Sequence, residues 1–237
     1  MTSAELLYAT AAAGANVLGA IAVISRTRWS LRALDLIVSL AAGFLISIVV
    51  LDLFPEAIGR GGSRAAFVAL GAYLLVHLTQ HTLGRHFHFG EETHEVSKVV
   101  SVSALIGLLL HTFVDGVAVA SSLRVSASLG ALMFVAVLLH KFPEGLAISS
   151  LFLAAGAGRS RALLAAVALG AATVLGVLLT DEFEMLQTNG LAIAAGVTMY
   201  VGASNLVPEF QAKRGWAIPL SFVCGCGLYL VARSMAR

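Results

Sequence analysis

His111-Thr-Phe-Val-Asp115-Gly116 and His140-Lys-Phe-Pro143-Glu144-Gly145 decide the reading of this chain. Each block sets a His four residues ahead of a carboxylate and closes on Gly. Each lies inside a long apolar run. On a helix, positions i and i+4 share one face, a turn apart. Each block therefore presents an imidazole and a carboxylate in the same direction, where ionisable groups are costly and by default functional candidates.

The surrounding composition says what kind of interior that is. Hydrophobic residues make up 59% of the 237 and charged residues only 12%, with a mean hydropathy of +0.92. Soluble domains carry about 25% charged residues. The chain is read as an integral membrane protein with the lipid bilayer as its main partner. Its Leu- and Ala-rich runs favour helices over a closed barrel. A net charge of +2, spread over loop positions, gives no case for nucleic acid. The first 30 residues lack the basic start and cleavage site of a signal peptide, so the opening helix is expected to be retained. Cys224 and Cys226, two apart on one helix, point to different faces, which argues against a disulfide and for small packing residues.

Eight spans can be drawn, at about 4–25, 34–58, 63–83, 98–123, 128–155, 161–180, 187–210 and 215–234, each near the ~20 residues that cross a bilayer. They form a single transmembrane domain over 1–237, with one longer loop at 84–97. Loop charges orient it. Arg26, Arg28, Arg32, Arg85, Lys98, Arg159, Arg161, Lys213 and Arg214 fall on one side; Arg60, Arg64, Arg124, Arg233 and Arg237 fall on the other. The positive-inside rule then places both termini outside and the 84–97 loop in the cytoplasm.

The polar blocks recur. Span two holds Asp52-Leu-Phe-Pro55-Glu56, and span seven holds Asn205-Leu-Val-Pro208-Glu209. Three of the four prolines precede a Glu. Spans two and seven are each the middle of a terminal three-helix group and run in opposite directions. The expected layout is all-α, three plus two plus three, with inverted outer repeats, a pattern met in transporters. Pro has no N–H, so Pro55, Pro143 and Pro208 release the carbonyls of Leu51, Leu139 and Ser204 to a neighbouring helix, to water or to an ion.

His111, Asp115, His140 and Glu144 together make two imidazoles and two carboxylates. Imidazole suits zinc and late first-row divalent ions, and carboxylates add harder oxygen donors. Two carboxylate charges balance a divalent ion, which lowers the cost of burying both. Gly116 and Gly145 are expected to let the two helices approach. One such pair reads best as hydrogen-bonded helix glue; two pairs at one spacing on consecutive spans favour metal. Lys141, in mid-span, must pair. It can stand as a tethered ammonium where a second cation would sit, or bond to Asp52 or Glu56 for packing.

These motifs, the eight spans, the outside termini and the His-containing loop after span three resemble the ZIP (Zrt/Irt-like protein) family of divalent metal transporters. The resemblance covers most of the chain. It implies uptake of zinc, or of iron, manganese or cadmium, towards the cytoplasm, with His111, Asp115, His140 and Glu144 lining the path. Zn2+ or another divalent ion is then cargo, with no organic cofactor and no enzymatic activity. A bacterial cytoplasmic membrane suits it, and a homodimer is compatible. Many members carry Asn where this chain has Thr112 and an acid where it has Lys141, and some add a Glu in span six. The chain resembles a divergent branch with Lys after the span-five His, so a single metal site is expected. Asp52, Glu56, Thr112, Asn205 and Glu209 are candidates along the path or behind the site. His77, His81, His86, His88 and His94 are candidates for cytoplasmic metal capture. The competing reading is an intramembrane zinc hydrolase, in which the metal would activate water.

Overall fold

The computed structural model describes residues 3–25, 31–83, 98–211, 213 and 215–236, apart from the side chains of residues 31, 81–83, 98–100 and 209. The described elements are all helical: α1 (Ser3–Ile24), α2 (Leu31–Ile48), α3 (Phe54–Leu83), α4 (Lys98–Val125), α5 (Ala127–Ala154), α6 (Arg159–Glu182), α7 (Glu184–Tyr200), α8 (Val207–Gln211) and α9 (Ala217–Ala236). Among the described residues, six stretches are long and apolar enough to cross a membrane, as an all-α membrane protein requires. His86, His88 and His94, with the rest of the 84–97 loop, lie outside the described residues.

One of the six, Arg32–Gln80, runs for 49 residues. Unbroken, it would extend about 74 Å, over twice the ~30 Å hydrocarbon thickness. It is broken at Gly62, whose φ of 58° and ψ of −151° suit glycine alone. α5 ends on the second glycine whose freedom matters. Gly156, at φ 76°, lets the amides of Gly156 and Ala157 reach the carbonyls of Leu153 and Phe152. That pair of bonds is the Schellman closure. α4 and α5 are separated only by Ser126, whose hydroxyl caps α5 by accepting from the Leu129 amide at 3.0 Å.

Two helices are widened ahead of their prolines. A π-helical turn spans Val49–Leu53, closed by the Phe54 amide on the Val49 carbonyl. Another spans Val201–Leu206, closed by the Val207 amide on the Gly202 carbonyl. Each precedes a residue that cannot donate, Pro55 or Pro208, and a five-residue bond absorbs the lost step. The Leu51 carbonyl released by Pro55 accepts from Arg233 Nη2 at 3.1 Å. A guanidinium from α9 therefore serves it, where water or an ion was one expectation. Pro143 sits inside α5 without such a turn.

Packing pairs the helices in a matched way. α1 packs on α5 as α6 packs on α4, and α2 packs on α9 as α3 packs on α7. The glycines sit at these contacts. A Cβ on Gly116 would collide with the Thr173 carbonyl of α6, and one on Gly145 with the Asn16 carbonyl of α1. Across the other pairs, Gly43 meets the Phe222 carbonyl and Gly196 the Ala69 carbonyl. Gly116 and Gly145 thus admit α6 and α1; the expectation that they bring α4 and α5 together is corrected. The result is two four-helix groups, α1/α4/α5/α6 and α2/α3/α7/α9. They join chiefly through α4 on α7 and α2 on α5. The largest buried apolar cluster, with Phe44, Ile48, Leu53, Met133 and Val137, lies across this join.

Candidate metal centre

Helical spacing places His111 and Asp115 one turn apart on α4, and His140 and Glu144 one turn apart on α5. The structure brings all four together. One ligand atom from each lies within 4.8 Å of the others, and all four residues are buried. The imidazoles are 5.5 Å apart, centre to centre.

Asp115 Oδ2 is the hub. His140 Nε2 lies 3.2 Å away and His111 Nε2 3.3 Å away. Lys141 Nζ is closer than either, at 2.6 Å, and also reaches Glu144 Oε2 at 2.8 Å. Lys141 is 0% exposed, so its ammonium exists in the membrane interior by virtue of these two carboxylates. It does not turn to Asp52 or Glu56. The helix step of ~100° separates it from His140, but its long stem returns the charge to the shared oxygen.

His140 is oriented from behind. Its Nδ1 lies 2.8 Å from the Ala136 carbonyl. A carbonyl only accepts, so Nδ1 carries a proton, which leaves Nε2, the atom aimed at the cluster, as the one a metal would take. Polar atoms with donor or acceptor capacity to spare are found here: His111 Nδ1 and Glu144 Oε1 are buried without hydrogen-bond partners, and so are both polar atoms of the Asn16 carboxamide on α1. With both imidazoles neutral, the carboxylates and Lys141 sum to one negative charge. A divalent cation reverses that sign, which suits a site that must release its ion.

The remaining candidates are placed elsewhere. The Thr112 hydroxyl donates to the Leu108 and Leu109 carbonyls of its own helix, at 2.9 and 3.1 Å. Asp52 accepts from the Tyr229 hydroxyl and from Arg233 of α9, at 2.9 Å from Nη2. Glu56 pairs with Arg60 at 2.6 Å, half exposed. Asn205 lies within the second π turn, and Glu209 is outside the described side chains, as is His81. His77 sits edge-on to Tyr200, 5.8 Å between centres. Among the described residues, Asp52, Glu56 and His77 do not join the four-residue group. Asn16 is the neighbour that sequence reasoning passed over, and its signal was a lone carboxamide in an apolar span.

No curated protein matches the chain. The family model described as ZIP zinc transporter matches residues 90–232, more than half of the sequence, taking in both His–carboxylate blocks. A buried cluster of two imidazoles and two carboxylates on adjacent membrane helices, within a match of that length, places this chain in the ZIP zinc transporter family.

Proposed function

We propose that the chain carries divalent cations, zinc among them, towards the cytoplasm through a single site made by His111, Asp115, His140 and Glu144. ZIP family members are divalent metal transporters rather than enzymes, which sets the hydrolase aside. The observation that carries the single-site reading is Lys141. Its ammonium lies on Asp115 Oδ2 and Glu144 Oε2, the carboxylates a second ion would need. The cargo would bind through His111, His140 and the carboxylate oxygens on the side away from Lys141, including the unpartnered Glu144 Oε1.

Eight crossings fit the chain once Arg32–Gln80 counts as two at Gly62 and residues 184–211 count as one through their π turn. The matched packing of α1 on α5 with α6 on α4, and of α2 on α9 with α3 on α7, supports inverted outer repeats about a central α4–α5 pair. Access would alternate as the group holding the site, α1/α4/α5/α6, moves against the other. Outside termini and a bacterial cytoplasmic membrane complete the proposal, with the His-rich 84–97 loop receiving released ions.

Uptake of radioactive zinc and cadmium into proteoliposomes tests it. His140→Ala and Glu144→Ala should each lower the initial rate at least ~10-fold, since even residues that merely orient ligands are worth that much. Metal analysis of the purified protein should give one ion per chain. Wild-type flux in both variants would remove the site from the pathway.

A further inference from the structure

α1 carries a single Asn in an otherwise apolar mid-span. Asn16 is 0% exposed, and neither Oδ1 nor Nδ2 has a hydrogen-bond partner among the described residues. Burying a carboxamide without partners is costly, and more so in a protein surrounded by lipid. A residue kept only for packing would be apolar here. A residue kept as interhelical glue would hold a bond. Asn16 does neither.

Its location is fixed by two glycines. Gly145 of α5 abuts the Asn16 backbone, and one turn along, Gly19 of α1 abuts the Phe142 carbonyl and the Leu146 amide. Asn16 therefore sits level with Glu144, on the face of α1 turned to the helix that bears His140 and Glu144. The unpartnered buried atoms Glu144 Oε1 and His111 Nδ1 belong to the four-residue group that Glu144 shares. Unpartnered buried polar atoms thus occur on α1, α4 and α5.

We propose that Asn16 is a specificity-determining residue of the transport site, whose carboxamide oxygen enters the coordination shell of the cargo ion from α1. This rests on the transport site proposed above. It adds a neutral oxygen donor to two imidazoles and two carboxylates. Carbonyl-type oxygen favours harder ions, so Asn16 shifts the site towards manganese relative to cadmium.

The test is equilibrium binding of Mn2+ and Cd2+ to the purified full-length protein in detergent, with thermal unfolding measured with and without metal. Asn16→Leu keeps the shape and removes the orphaned polar atoms. Without metal it should unfold at or above the wild-type temperature. Its Mn2+ affinity should fall roughly tenfold, the size seen for supporting residues at metal sites, and its Cd2+ affinity should fall less. Asn16→Asp, which keeps an oxygen in place, should bind Mn2+ at least as tightly as wild type. Wild-type Mn2+ affinity in Asn16→Leu would overturn the proposal, as would lost metal-free stability in Asn16→Leu together with weakened Mn2+ binding in Asn16→Asp. His140→Ala in the same assay separates the failures. If it loses binding while Asn16→Leu does not, only Asn16 is wrong; if both bind as wild type, the site itself is wrong.

Discussion

Lys141 shows how far residue identities alone carry. The i, i+4 spacing of His111 with Asp115 and His140 with Glu144 was legible because it is set within one helix. The partner of Lys141 was not, because it depends on how α5 is rotated against α4, which no local pattern records. By sequence the ammonium stands either close to the site carboxylates or paired with Asp52 or Glu56. The structure puts it on them, at 2.6 Å from Asp115 and 2.8 Å from Glu144. Asn16 was missed for a related reason: its backbone faces Gly145 only after α1 packs on α5. A consequence follows for Lys141→Met. Removing one partner of a buried ion pair leaves uncompensated charge, which costs about 3–5 kcal/mol. The variant should unfold at lower temperature without metal and recover more on adding Cd2+ than wild type does. Thermal scans with and without the ion check this, and an equal metal-induced rise in both proteins would show that Lys141 does not compete with cargo for the carboxylates.

At the scale of elements, the span limits read from hydropathy differ from the helices by a few residues, since the lipid requirement dominates composition. What composition could not convey was the form of the breaks. A Gly-rich stretch around 59–62 could end a helix in several ways, and only one backbone conformation at Gly62 does so here. The prolines signalled freed carbonyls, yet the π turns at 49–53 and 201–206 and the Arg233 bond to the Leu51 carbonyl are tertiary outcomes. Arg233 also holds Asp52, so Arg233→Ala should leave the Leu51 carbonyl unserved and remove the ion pair of Asp52, which keeps the Tyr229 hydroxyl, and cost about 1–3 kcal/mol of stability. Denaturation of the purified variant measures it, and no loss would mean the π turn holds without α9. The glycines divide by what they face. Gly145→Ala forces a Cβ into the Asn16 backbone, which should cost roughly 1–3 kcal/mol or more, as overpacking does. A Cβ on Gly14 of α1 would meet nothing within 4 Å, so Gly14→Ala should instead stabilise, by about 0.5–1 kcal/mol. Opposite signs in one thermal assay are the expected result, and equal effects would deny that Gly145 is a helix contact.

For the whole molecule, chain order suggested two outer triplets around a central pair, while packing assembles two groups of four. The inverted repeats proposed above would reconcile the two views: a rotation exchanging α4 with α5 and α1 with α6 would make the α1–α5 and α4–α6 contacts one contact seen twice. The glycines agree: Gly145 on α5 faces Gly19 and Asn16 of α1, as Gly116 on α4 faces Gly176 and Thr173 of α6. No short motif could reveal this, since the partners are distant in sequence and share only small residues. The site residues of α4 and α5 all lie in one group, and in the proposed cycle that group shifts against the other. One place tests the shift directly. Ser121 on α4 and Gly190 on α7 face each other across the join, and a Cβ built on Gly190 lies 3.5 Å from that of Ser121. That separation is within the range for a disulfide. The double variant Ser121→Cys/Gly190→Cys, in a background with Cys224→Ala and Cys226→Ala, should form a cross-link under mild oxidation. Zinc uptake into proteoliposomes should then stop and return on reduction, while metal binding in detergent survives, because the cross-link touches no ligand. Undiminished uptake by the fully cross-linked protein would mean that the α4–α7 join stays closed throughout the cycle, and the moving boundary would have to be sought inside the α1/α4/α5/α6 group instead.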